Sequence, residues 1–177
     1  LTHAGIYGID ASMATLGQLY ETDINYYVRI NFTSMIDIVA ALGGVDVYSE
    51  YAFTTSKNSG VVMDVSQGYN HFDGEEALAF SRERKNLEDG DNQRGKNQQA
   101  VITAMLKKVL SPTMLLQATG IMNEVSEGVE TNISQSQINS LIKYQLSKNA
   151  DWSIQSVAAT GTPSREYCYS ATDPLYV

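Results

Sequence analysis

Basic residues are scarce in this chain, 12 against 20 acidic ones, yet five of the 12 fall between Arg82 and Lys96. They are Arg82, Arg84, Lys85, Arg94 and Lys96. In a locally extended segment Arg82 and Arg84 project to one side of the backbone. Arg94 and Gln98 lie four apart, so they share a face near the start of a predicted helix. A helix N-terminus carries partial positive charge and free backbone N–H groups. Forked guanidinium groups match phosphate oxygens, so three arginines and an amide here suit a phosphate or pyrophosphate. Glu83, Glu88, Asp89 and Asp91 are interleaved with them. A solvated mixed-charge loop with ordinary ion pairs accounts for the same composition.

On the same helix Val101, Ile102, Met105 and Val109 follow Arg94 and Gln98 on one face. A polar head followed by an apolar stripe suits an amphiphilic ligand; packing of the stripe on a sheet is the alternative. Other chemistry is sparse. His3 and His71 lack carboxylate or cysteine neighbours at metal-ligand spacing, which points to structural or surface roles. Cys168, among Tyr167, Tyr169 and Ser170, has no nearby base and reads as a packed thiol. The carboxylate pairs Glu75–Glu76 and Asp89/Asp91 are weak metal signals. Gly43-Gly44 reads as a helix stop, and the Asn31-Phe32-Thr33 glycosylation pattern lies across an expected strand end.

The elements that must position these residues alternate between strand and helix. A short helix is expected over Ala11–Tyr20, capped by Asp10 or Ser12, with Met13, Leu16 and Tyr20 on one face. Tyr26–Phe32 reads as a buried strand. A helix opens at Thr33 and Ser34, turns Met35, Ile36, Val39 and Leu42 inward, and ends at Gly43-Gly44. Val45–Ser49 is a second strand. Thr54–Gly60 is a polar hairpin tip, with Val61–Val65 returning. Gly68–Gly74 reads as a turn, Glu75–Ser81 as a helix, and the segment from Arg82 to Gly95 as a surface loop. The clearest helix runs from Asn92 to Leu110, stopped by Pro112. Helices over Thr113–Val125 and from Ser134, capped with Gln137, to Lys148 follow. Trp152–Ala159 is the last strand. This succession predicts an α/β fold.

At 177 residues, 43% of them hydrophobic and 18% charged, the chain fits a single domain, residues 1–177, with a real core. The net charge of −8 argues against a nucleic-acid partner. One cysteine excludes an internal disulfide framework. No run of about 18 apolar residues is present, so no membrane-spanning helix is expected within it.

The two blocks around the arginines carry a resemblance. Gly68-Tyr-Asn-His-Phe-Asp-Gly74-Glu-Glu-Ala-Leu-Ala-Phe-Ser-Arg82-Glu-Arg84 resembles the L-x-G-x-x-A-L-x-x-x-R-x-R block of the LytR-CpsA-Psr family. Asp91-Asn-Gln-Arg94-Gly-Lys-Asn-Gln98 is similar to its D-x-x-R-x-x-x-Q block. Upstream, Tyr26-Tyr-Val-Arg-Ile-Asn31-Phe32 and Leu42-Gly-Gly-Val45-Asp-Val resemble further stretches. The opening Leu-Thr-His-Ala-Gly resembles the capsule-associated CpsA-like branch. Together these cover nearly the whole chain.

The resemblance implies an extracytoplasmic, membrane-anchored phosphotransferase. Such an enzyme moves a glycopolymer, capsular polysaccharide or wall teichoic acid, from a polyprenyl-pyrophosphate carrier to peptidoglycan. It implies a three-layer α/β/α sandwich with a mixed central sheet. It also implies that Arg82, Arg84, Arg94 and Gln98 bind pyrophosphate, that Asp91 orients the arginines or assists proton transfer, and that Val101, Ile102 and Met105 contact the lipid. Arg84, Asp91 and Arg94 are then the catalytic group. The family's magnesium-binding aspartates, and a further arginine pair, fall in segments before the position of Leu1. The chain therefore resembles the C-terminal two-thirds of the catalytic domain, with Mg2+ expected in the intact domain, a membrane anchor outside this sequence and an incomplete sheet. A fragment of that kind is expected to be inactive on its own, and a dimer formed through unpartnered strand edges is a further expectation. Asn97 and Ala40 stand where many relatives place arginine and aspartate, and the former is expected to alter phosphate contacts. The alternative is a polyprenyl-pyrophosphate sensor or regulator without turnover, in line with the transcriptional-attenuator label given to some relatives.

Overall fold

The computed structural model describes residues 2–87, 90–125, 128–156, 165–166 and 175–176. A 3-10 turn over Thr2–Tyr7 leads into α1 (Ile9–Tyr20), β1 (Val28–Ile30), α2 (Phe32–Ala41) and β2 (Val45–Ser49). The short ribbon β3 (Phe53–Thr54) and β4 (Asp64–Val65) precedes β5 (Gly68–Phe72), α3 (Gly74–Arg82) and the long α4 (Asp91–Val109). Helix α5 (Pro112–Val125), β6 (Val129–Thr131) and α6 (Gln135–Lys148) follow, and then β7 (Arg165–Glu166) and β8 (Leu175–Tyr176).

The core forms around β2 and β5, which pair antiparallel from Val45↔Phe72 to Ser49↔Gly68. Strand β2 alternates strictly, with Val45, Val47 and Ser49 buried and Asp46 and Tyr48 exposed, as a one-faced strand should. Val45 and Val47 meet Val39 from α2, Phe80 from α3 and Val101 and Ala104 from α4 in one cluster. Phe80 is fully buried, 5.2 Å from the Phe72 ring and 5.8 Å from Phe53, and so ties α3 to both ribbons.

Helix ends are set by local chemistry. Asn31 caps α2 by accepting the Ser34 N–H at 2.8 Å, and Gly43 and Gly44, at φ 71° and 80°, end it. Asp73 and Glu76 form a reciprocal capping box on α3, and Ser134 with Gln137 forms the expected one on α6. Gly74 is required by packing: a Cβ there would lie 2.5 Å from the Ile36 carbonyl oxygen, so α2 and α3 meet backbone to backbone.

The α/β class holds, with strands joined as four two-stranded antiparallel ribbons among the described residues: β1–β6, β2–β5, β3–β4 and β7–β8. Several expectations are corrected. The strand placed at Tyr26–Phe32 is only Val28–Ile30, and all three residues are exposed rather than buried. Asn31 caps a helix there, which draws Phe32 into α2. Helix α1 begins after Gly8, not at a side-chain cap from Asp10 or Ser12, and buries none of its residues fully. Gly68–Gly74 is not a turn but strand β5 followed by the α3 cap. The return strand over Val61–Val65 shortens to Asp64–Val65. Residues 152–156 form no strand, and Trp152 Nε1 donates to Gln145 Oε1 at 2.6 Å; the rest of that expected strand, and Cys168, lie outside the described residues.

Candidate functional site

The site is built where α3 ends and α4 begins. Arg82 is the last residue of α3, and Glu83 breaks the helix with an extended backbone (ψ 137°) while its N–H still bonds the Ala79 carbonyl. Arg82 and Arg84 are exposed on either side of Glu83, which is fully buried. A buried carboxylate needs donors, and Glu83 has five. Its Oε1 accepts the backbone N–H groups of Arg84, Lys85 and Asn86 at 2.9, 2.8 and 3.1 Å. Its Oε2 accepts the Ser56 N–H and, at 2.8 Å, the Ser59 hydroxyl. Burial alone drives the carboxyl upward, but these donors, led by Ser56 and Ser59, outweigh it and hold Glu83 down at about 2. Asn86 Nδ2 adds a bond to the Thr54 carbonyl at 2.8 Å. The arginine segment is thereby sewn to the tip of the β3–β4 ribbon.

Helix α4 enters from Gly90, whose φ is 49°. Asp91, in its first turn, stands between two guanidinium groups. Arg94 NH2 lies 2.8 Å from Asp91 Oδ1, and Arg84 NH1 lies 3.9 Å from the same oxygen. Both arginines keep solvent-facing surface, with Arg94 the more buried. Arg82 does not join this pair: its guanidinium sits 5.0 Å above the Phe32 ring. Gln98 is exposed one turn beyond Arg94, and Lys96 pairs with Glu50 at 3.4 Å.

The structure therefore brings Arg84, Asp91 and Arg94 together, with Gln98 beside them and Arg82 parked on an aromatic face. The apolar stripe divides. Val101 is 1% exposed and belongs to the core, and Met105 packs half-buried against that core. Ile102 and Val109 remain exposed on the arginine side of α4. A groove of about 480 Å³, walled by Tyr48, Tyr69 and Lys107, lies along the opposite face of the helix. Asn97 is buried, accepts from Gln93 at 3.1 Å and donates to the Phe80 carbonyl at 3.4 Å. It holds α4 to α3 and does not face the arginines' solvent side, so the expectation that it alters phosphate contacts directly gives way to a packing role. His71 shares an exposed contact of 2.8 Å with Asp46 across the β2–β5 ribbon.

Sequence reasoning missed Glu83. A glutamate between two arginines reads as one more surface charge. Two of its five donors, Ser59 and Ser56, come from 24 and 27 residues away, and no local pattern announces them.

The described residues do not fit a resident magnesium ion. No three metal-ligating side chains cluster among them, and Asp91, the carboxylate nearest the arginines, is already engaged by two guanidinium groups.

Residues 2–174 match the model of the LytR_cpsA_psr family. The chain is 34% identical, over 139 residues, to the polyisoprenyl-teichoic acid–peptidoglycan teichoic acid transferase TagU of Bacillus mycoides (strain KBAB4), covering 78% of this chain and 44% of TagU. The crystal structure of B. subtilis TagV superposes with a TM-score of 0.73 at 26% identity, covering 96% of this chain and 63% of that one. A structure of TagT bound to LIIa-WTA gives a TM-score of 0.70 at 28% identity, covering 94% of this chain and 62% of that one. This chain spans less than half the length of the TagU it matches. On the extent of the family match, the identity to TagU and the shared fold, the chain belongs to the LytR-CpsA-Psr family.

Proposed function

We propose that this chain is part of a phosphotransferase that moves a glycopolymer, teichoic acid or capsular polysaccharide, from a polyprenyl-pyrophosphate carrier to peptidoglycan on the extracytoplasmic face of the membrane. The observation that carries this is the convergence of Arg84 and Arg94 on Asp91 at the α4 N-terminus. Two guanidinium groups held by one carboxylate, beside the positive end of a 19-residue helix, form a receptor for a doubly charged pyrophosphate. Family membership and the name of TagU supply the reaction class.

In this reading Arg84 and Arg94 bind the diphosphate oxygens and stabilise the charge that grows on the leaving polyprenyl phosphate. An acceptor hydroxyl forms a new bond to the glycosyl-linked phosphorus, and the bond from that phosphorus to the bridging oxygen breaks. The hydroxyl proton passes to base or solvent, and polyprenyl phosphate departs. Asp91 sets the directions of the two guanidinium groups. Ile102 and Val109 offer the prenyl chain apolar surface, with Met105 beneath them. The metal expected with such a phosphate would neutralise its oxygens, with ligands other than the described residues. Among the described residues no helix is long and apolar enough to cross a membrane, so the anchor in this reading lies elsewhere in the protein.

The test is transfer by the full-length protein carrying Arg84→Ala or Arg94→Ala. Both guanidinium groups reach solvent, so folding should be nearly unchanged while transfer falls by about 100-fold or more. Undiminished transfer in either variant removes that residue from the mechanism. Ile102→Asp should weaken binding of farnesyl pyrophosphate and leave inorganic pyrophosphate unaffected; equal effects on both would reject the lipid contact.

A further inference from the structure

Three consecutive backbone N–H groups, those of Arg84, Lys85 and Asn86, point at a single oxygen. Successive N–H groups converging in this way form a nest, the concavity that binds phosphates and other anions in many proteins. Beside a pyrophosphate receptor such a nest would be the natural seat for the ligand. Here it is already filled, from within, by the Glu83 carboxylate. The other oxygen of that carboxylate is held by the Ser56 N–H and the Ser59 hydroxyl, so the filled nest is also bolted to the 55–59 turn. The backbone of 84–86 is thereby closed to external anions. Arg84 leaves this fixed segment with its side chain largely in solvent and its guanidinium 3.9 Å from Asp91.

We propose that Glu83 is a positioning residue for Arg84: it is the built-in anion of the 84–86 nest, and by locking that nest to the 55–59 turn it aims the Arg84 guanidinium at the pyrophosphate. The proposal rests on the reading that Arg84 binds pyrophosphate. It assigns ligand recognition to side chains and removes the backbone from it. It also makes the β3–β4 ribbon, which carries no basic residue at its paired positions, part of the site's scaffold.

The experiment is a double-mutant cycle on the full-length protein, with farnesyl pyrophosphate as probe and affinity read by calorimetry. Circular dichroism fixes a temperature at which every variant is folded. Glu83→Gln keeps the shape of the side chain but turns an amide donor toward Ser56 and Ser59. It should weaken binding by about tenfold or more in the wild-type background, and change it by less than about twofold when Arg84 is already alanine. Equal losses in both backgrounds would mean that Glu83 supports the fold at large, and would overturn the proposal. Wild-type affinity in Glu83→Gln would overturn it too. Wild-type affinity in Arg84→Ala would instead refute the pyrophosphate reading itself, and the two failures are told apart by which single variant binds normally. A second readout is rescue. Glu83→Ala empties the nest, and added formate should restore affinity toward wild type where chloride at equal ionic strength does not. Identical responses to the two salts would count against the nest.

Discussion

Acid should find Glu83 first. Its carboxyl sits at about 2 in the folded protein against an ordinary 4.5. A pKa lowered by folding means that the charged form is stabilised in the native state. The contribution is complete above pH 4.5 and is lost as pH falls from there to about 2. A shift of that size corresponds to about 3 kcal/mol, a large share of the stability of a single domain. Other carboxylates titrate in the same window, so the wild-type curve alone is not diagnostic. The difference between wild type and Glu83→Gln isolates the one group. Urea midpoints followed by circular dichroism from pH 7 to pH 2 should put the variant about 3 kcal/mol below wild type at neutral pH, with the gap closing through the acid limb. A gap that stays constant down to pH 2 would refute the reasoning. It would show that Glu83 matters through shape and not through charge.

Four further outcomes are expected. Phe80→Ala removes the ring that joins Phe53 and Phe72 and should cost about 3–5 kcal/mol in urea denaturation. Gly74→Ala drives a Cβ into the Ile36 backbone and should cost roughly 1–3 kcal/mol by thermal melting, since neither α2 nor α3 can yield locally. Asp91→Asn frees two solvent-facing arginines, so stability should move by less than about 1 kcal/mol. Calorimetry should show tighter binding of inorganic pyrophosphate while transfer slows. Ser134→Ala removes one half of the α6 capping box and should cost about 1 kcal/mol.

What the sequence revealed and what it hid divide along a physical line. Features decided within a few residues were legible. Gly43-Gly44 ends α2, Ser134 and Gln137 cap α6, and the alternation of Val45, Val47 and Ser49 marks β2. Spacing grouped Arg82, Arg84, Arg94 and Gln98, and Asp91 joined them only through the family resemblance; the structure puts Asp91 with Arg84 and Arg94 and leaves Arg82 over Phe32. Strand β5 was not legible. Phe72 is its one buried residue, and its Tyr, Asn and His look like turn chemistry until β2 lies beside them. The buried strand expected at Tyr26–Phe32 failed for the opposite reason: aromatic and β-branched residues promised burial, but among the described residues only β6 pairs with β1, whose side chains stay exposed. Val101 and Ile102 are adjacent in sequence and were read as one stripe. A helix surface separates neighbours by 100°, enough to put one in the core and the other in water.

Helix α4 is gripped at both ends. Near its start Asp91 meets Arg84 at 3.9 Å and Asn97 Nδ2 donates to the Phe80 carbonyl of α3 at 3.4 Å, and near the other end Lys108 Nζ donates to the carbonyls of Gly44 and Gly43 at 2.7 and 3.3 Å. The 19 residues between and around these grips span roughly 28 Å as one rod. Inserting or deleting a single residue anywhere along it would turn one end by about 100° relative to the other and slide it by about 1.5 Å. Either Asp91 would leave Arg84 or Lys108 would lose the glycine carbonyls, and the core residues Val101 and Ala104 would turn with whichever end moved. The length of this helix is therefore a quantised property of the protein. A register change in α4 has no partial solution.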